Sequence, residues 1–211
     1  VLLAIDTSAG TSVAVVDLTH GVLAERGIPD TMRHAEVVGR LIQECLTEAR
    51  VSVSALSGVV GGMGPGPFTG LRVGIAAARV FALGIGRPHV PVISHDAIAY
   101  GAYRTGRTGP LLVVTDARRR EVYWSAYSGA DAAGLPVRIG EPALAKPAEL
   151  LEGSFVHAAL PRLDAVSISA GDLGMVAELT YAAGRRPAAD DALYLRSPDV
   201  TVSKNGPKRV S

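Results

Sequence analysis

Residues 61–74 read GGMGPGPFTGLRVG, six glycines and two prolines set between the short apolar run Val59-Val60 and an alanine-rich stretch that closes at Gly84. Glycine at this density, where a strand gives way to a helix, brings backbone close to some other group. The spacing is not that of a phosphate-binding loop, because Gly66 is followed by Pro67-Phe68 and Gly70 by Leu71-Arg72 instead of Lys and then Ser or Thr. The dinucleotide fingerprint misses as well: Thr69 stands where the third glycine belongs and Gly70 comes one place late. Pro65 and Pro67 remove two N–H donors that a phosphate cradle would use. The segment is instead expected to start a helix, Gly70 to Leu83, capped by Thr69 and stopped by Gly84, Gly86 and Pro88. With Val59-Val60 before it and His89 to Ile93 after it, this makes a βαβ-like unit.

Working outward, the apolar run Val1 to Ile5 ends in Asp6-Thr7-Ser8 and is followed by Ser12 to Asp17 and Val22 to Arg26, which predicts a three-stranded antiparallel start. Arg33 to Arg50 places Ala35, Val38, Leu41, Ile42, Cys45, Leu46 and Ala49 at helical spacing. The second half opens in the same way: Leu111 to Thr115 ends in Asp116, and Glu121 to Ser128 alternates like a strand. Helices are expected over Pro142 to Leu151 and Asp172 to Ala183. The repeated strand-Asp-hairpin predicts a duplicated α/β unit, residues 1–100 and 101–211, with the extreme C-terminus returning to the first.

The composition narrows the function. At 211 residues with 48% hydrophobic content the chain can bury a sizeable core. A formal charge of +1 provides no general field for nucleic acid, so any RNA contact would be local, at Arg118-Arg119-Arg120 or at Lys204, Lys208 and Arg209. Cys45 has no second cysteine to pair with and reads as a small buried apolar side chain in a reducing compartment. The apolar stretch Val73 to Ile85 is interrupted by Arg79 and is too short to cross a bilayer, and no basic-then-apolar leader stands at the start, so the cytoplasm is the expected location. None of the five histidines has another at i+4, and no Gly-x-Ser-x-Gly elbow occurs, so neither a helical zinc pair nor serine hydrolysis has support.

Two strand-Asp turns are the arrangement of the actin, hexokinase and Hsp70 ATPase superfamily, in which glycine-rich turns after the two aspartates wrap phosphates. Asp6-Thr7-Ser8-Ala9-Gly10-Thr11 suits that use, whereas Asp116-Ala117-Arg118-Arg119 would crowd the approach with side chains. Both aspartates could equally serve only to shape their turns. More narrowly, VLLAIDTS at 1–8, His34-Ala35-Glu36, GPGPFTGLRVG at 64–74, DARRREVYWSAY at 116–127 and Tyr194-Leu195-Arg196 resemble the TsaB/YeaZ family over nearly the whole chain. The related TsaD family carries a His-x-x-x-His metal pair. Here His95 and Ala99 stand at the matching positions, which is similar to the non-catalytic paralogue.

The resemblance implies a duplicated actin/Hsp70-like (ASKHA, RNase H-like) α/β fold with two mixed sheets. It further implies a scaffold and activator, with no catalytic residue, cofactor or metal of its own, for threonylcarbamoyl transfer to the adenosine beside the anticodon of ANN-decoding tRNAs. TsaD would be its heterodimer partner, TsaE would act on the pair, tRNA would be met through the complex, and the chain alone would form a homodimer. The family contact uses the first two helices, which implies an interface at Val38, Leu41, Cys45, Leu71, Gly74, Ile75 and Ala78, with Arg72 and Arg79 as polar anchors. The alternatives are an ATP-dependent enzyme of the superfamily, a peptidase, or a homodimeric scaffold with other partners. After Leu151 the chain departs from the family pattern, leaving Ser154 to Ser169 without an assigned element.

Overall fold

The computed structural model describes residues 1–29, 32–152 and 154–196; the basic residues Lys204, Lys208 and Arg209 lie outside them. The first unit is a five-stranded sheet of order β3-β2-β1-β4-β5, built from β1 (Leu2–Asp6), β2 (Thr11–Asp17), β3 (Gly21–Ile28), β4 (Gly58–Gly62) and β5 (His89–Val92). The hairpins β1-β2 and β2-β3 are antiparallel, whereas β4 and β5 join in parallel through crossover helices, so the sheet is mixed. Side-chain alternation divides β1 and β2 between two cores. Leu3, Ile5, Val13 and Val15 face α1 (His34–Ala49) and α2 (Phe68–Gly84), whereas Leu2, Ala4, Ala14 and Val16 face α4 (Ala170–Ala182).

The second sheet, of order β8-β7-β6-β9, consists of β6 (Leu111–Asp116), β7 (Val122–Ala130), β8 (Pro136–Ala145) and β9 (Arg162–Ala165). One face packs Leu111, Val113 and Tyr127 on Ala99 and Tyr103 of α3 (Ser94–Arg104); the other packs Leu112, Val114, Val122 and Ala126 on Leu150. These two mixed sheets with flanking helices form the duplicated actin-like fold expected from the repeated strand-Asp pattern. Residue 100 falls inside α3, and α4 packs on β1 and β2 of the first sheet. Close approach there relies on small residues: a Cβ on Gly174 would stand 2.6 Å from Val16 Cγ2.

Two local expectations are corrected. Pro142 to Leu151 is not a helix: Ala143, Leu144 and Ala145 pair with Trp124, Tyr123 and Val122 as the end of β8, and only Glu149–Leu151 forms a single 3-10 turn. Pairing with β7 overrides the helix preference of alanine and leucine, and Pro147 blocks continuation. Thr69 does not cap α2; the extended Pro67 does, its carbonyl accepting from Leu71 N at 3.0 Å, so Thr69 lies in the first turn. Three elements went unassigned in the sequence: α3, β8 and β9.

Candidate functional site

The glycines of 61–74 bring the β4-α2 loop against the turn that follows β1. A Cβ on Gly66 would lie 2.8 Å from Ser8 Cβ, one on Gly70 2.6 Å from Thr7 O, and those on Gly62 and Gly74 would strike the Asp6 carboxylate and the Thr7 hydroxyl. The group that the glycines approach is therefore the chain's own first turn. Thr7 Oγ1 seals the contact by donating to Gly70 O at 2.7 Å.

Asp6 is consumed by this closure. Its Oδ1 accepts from Ser8 N at 2.7 Å, its Oδ2 from Ser94 Oγ at 2.5 Å and from Ser8 Oγ at 3.2 Å, while Gly64 N donates to Ser94 Oγ at 3.0 Å. Burial raises the pKa of Asp6 above the usual carboxylate range, opposed by the hydrogen bonds from Ser94 and Ser8. Three of the roughly four acceptor positions of the Asp6 carboxylate are thus taken by the chain itself. In the opposite turn Arg118, Arg119 and Arg120 all hold positive φ (63°, 53° and 61°), and Arg118 N donates to Asp116 Oδ1 at 2.9 Å. Arg118 and Arg119 line a cavity of about 410 Å³ with Phe68, Tyr123, Tyr194 and Arg196.

His95 is no metal ligand in waiting. Both ring nitrogens are occupied, Nδ1 by Ser125 Oγ at 2.8 Å and Nε2 by Thr115 Oγ1 at 2.9 Å, and burial with the nearby Arg138 charge pushes its pKa down to about 3. Ala99, one turn on, is buried in the same core. Among the described residues no group of three or more His, Cys, Asp or Glu side chains could hold a metal ion.

What remains exposed is the outer face of the two helices, and it differs from the expected one. Val38, Leu41, Cys45, Leu71, Gly74, Ile75 and Ala78 are buried in the chain's own cores, with Cys45 Sγ against Val13 O at 3.2 Å. They face inward because both sheet strands and the C-terminal segment need covering: Leu71 and Ile75 pack on Met63, Ile93 and Leu193. Arg79 is exposed, but it is tied to the chain itself, donating to Asp190 O at 2.7 Å and Asp190 Oδ1 at 2.8 Å. Arg72 is exposed, with its guanidinium 5.2 Å from the Phe68 ring centre. The outward stripe on α2 is instead Val73, Ala76, Val80 and Leu83, at spacings of three and four. Val80 is 69% and Leu83 82% exposed. Beside it α1 presents Ala35, Gly39 and Gln43, and a Cβ on Gly39 would meet nothing within 4 Å. Because α2 is apolar on both faces, spacing alone does not tell the inner stripe from the outer.

A family profile described as TsaD, tRNA N6-adenosine threonylcarbamoyltransferase, matches residues 25–178. The tRNA threonylcarbamoyladenosine biosynthesis protein TsaB of Escherichia coli is 31% identical over 169 residues, covering 76% of this chain and 70% of that protein. The chain belongs to the TsaB/YeaZ family. An uncharacterized protein of Mycobacterium tuberculosis is 40% identical over 94% of this chain and 92% of its own length. Among solved structures, YeaZ from Pseudomonas aeruginosa superposes with a TM-score of 0.72 at 27% identity, covering 92% of this chain and 99% of that one. A further Pseudomonas aeruginosa structure, of an uncharacterized protein with similarity to peptidase YeaZ, reaches 0.76 at 28% identity with the same coverage. Within the TsaB/YeaZ family frame, the closed Asp6 turn and the open helix face are the two features that bear on function.

Proposed function

We propose that this chain serves tRNA threonylcarbamoyladenosine biosynthesis in the cytoplasm as a non-catalytic partner subunit. It docks TsaD through the outer face of α1 and α2, TsaE acts on that pair, tRNA is met through the complex, and the same face pairs two copies of the chain when TsaD is absent. The observation that carries the reading is the exposed stripe Val73, Ala76, Val80 and Leu83 beside Gly39. Apolar side chains in a continuous row on a helix face favour burial against a partner. A glycine in mid-helix costs about 1 kcal/mol relative to alanine, and no neighbour within the chain requires Gly39; close approach of a partner helix would. The non-catalytic part of the reading is supported by Asp6, whose buried carboxylate is held by three hydrogen bonds from Ser8 and Ser94.

The test is threonylcarbamoylation of tRNA with purified TsaD, TsaE and threonylcarbamoyl-adenylate, with and without this chain, alongside calorimetry of the isolated chain with ATP and magnesium. Modification that depends on the chain, with no tight nucleotide binding by the chain alone, is the expected outcome. Modification that proceeds equally without it overturns the reading. Tight ATP binding by the isolated chain returns the superfamily enzyme to first place.

A further inference from the structure

A cavity of about 220 Å³ lies between β5, the start of α3, the β7-β8 hairpin, α4 and residues 185–188. Its apolar walls include Val90, Val92, Leu135, Val176 and Ala177. Its polar groups are unevenly charged, with Arg138, Arg185 and Arg186 against the single carboxylate Asp96. Asp96 is fully used: it accepts from Tyr127 Oη at 2.7 Å and from Arg138 Nη1 at 2.9 and 3.0 Å. Arg185 is paired with Asp131. Arg138 reaches Asp96 through one end of its fork only, and its Nε is buried without a partner among the described residues. Arg186 is exposed at the rim and makes no ion pair among the described residues.

Among the guanidiniums lining the cavity, counting Asp96 against Arg138 and Asp131 against Arg185 leaves one uncompensated, with Glu141 outside the lining as the next acidic group to act on Arg138. Arg138 keeps 23% of its side-chain surface exposed and meets Asp96 through Nη1 alone, so an acceptor entering this cavity can reach the outer edge of its guanidinium. We infer that the cavity binds a small organic monoanion, its carboxylate set against Arg138 and Arg186 and its compact apolar body against the valine and leucine walls. The single uncompensated charge favours a monoanionic carboxylate over a dianionic phosphate ester. The volume corresponds to roughly seven waters at about 30 Å³ each, the size range of a compact organic acid. Because the walls come from both sheets and from α4, an occupant would clamp the second unit to the first.

The probe is benzoate, titrated into the labelled full-length chain by amide NMR, with uncharged benzamide and methyl phosphate as controls. Expected are saturable shifts confined to residues near 90–96, 135–138 and 176–188, with benzamide and methyl phosphate at least tenfold weaker. Arg186→Gln, at an exposed position without an ion pair, should weaken benzoate about threefold. Arg138→Lys keeps a cation beside Asp96 but removes the planar fork, and should weaken it about tenfold. No saturable shift with benzoate, benzamide binding as well as benzoate, tighter binding of methyl phosphate, or both variants binding like the wild type would each overturn the assignment.

Discussion

Replacing Val80 by aspartate probes the helix face without touching the core, and Ile75→Asp, one and a half turns away on the same helix, does the reverse. Val80 is 69% exposed, so covering its side chain in a complex removes most of a valine from water, worth about 1.5 kcal/mol. A carboxylate placed there would lose that gain and carry an uncompensated desolvation cost of several kcal/mol. A combined loss of at least 3 kcal/mol corresponds to more than a hundredfold weaker TsaD binding. In the isolated chain the same change is a surface substitution and should shift stability by no more than about 0.5 kcal/mol. Ile75 is 4% exposed and packs with Met63, Leu71 and Ile93. Truncation alone would cost about 2–5 kcal/mol and a buried charge more, a large part of a typical domain's 5–15 kcal/mol. Urea unfolding of each variant, followed by calorimetric titration with TsaD, separates the two. Val80→Asp that binds TsaD like the wild type, or that shifts the urea midpoint as far as Ile75→Asp does, refutes the outward assignment of the stripe.

Three further outcomes follow from the same geometry. Gly66→Ala forces a Cβ against Ser8 Cβ and Cα at 2.8 and 2.9 Å, and should lower stability by about 1–3 kcal/mol in thermal melts; Gly39→Ala, with open space, should raise it by up to about 1 kcal/mol while weakening TsaD binding. His95 stays neutral in the fold down to about pH 3, whereas in the unfolded chain it protonates near 6.5, so the unfolded state binds the extra proton between those values. The stability His95 contributes is therefore complete above about pH 6.5 and is lost as pH falls, by up to about 1.4 kcal/mol per unit; the gap between wild type and His95→Gln in urea melts should grow from pH 4 to 6.5 and then level off. Burial pushes the Cys45 thiol up to about 11, so iodoacetamide at pH 8 should leave the native chain unlabelled by mass spectrometry and label it fully in urea.

Most strands were legible because their cue is local. Leu2 to Ile5 and Leu111 to Val114 are unbroken apolar runs buried on both sides, and the turn residues between β1, β2 and β3 mark the hairpins. β8 was not legible, since Pro142 to Leu151 carries alanine, leucine and glutamate whose helical preference is overruled only by the distant strand β7. The glycines of 61–74 announced a close approach, but its target, the Thr7-Ser8 turn, is more than fifty residues earlier and could be identified only in three dimensions. The same limit applied to the interface. The two helices were found within a residue or two, yet an apolar stripe at 71, 75 and 78 and another at 73, 76, 80 and 83 satisfy helical spacing equally well, and only the placement of the sheet decides which of them meets solvent.

The return of α4 to the first sheet has a consequence for how the protein is made. Ala170 N bonds Ser12 Oγ across 158 positions and Ser169 Oγ bonds Glu25 across 144, and the Leu2, Ala4, Ala14 and Val16 face stays bare until Leu173, Val176 and Ala177 arrive. On the ribosome the first sheet must therefore wait, with one greasy side uncovered, while about eighty further residues between β5 and α4 are synthesised at about 5–20 per second. For several seconds the nascent chain is a natural client for holding chaperones, and shortening it before α4 should make it aggregate.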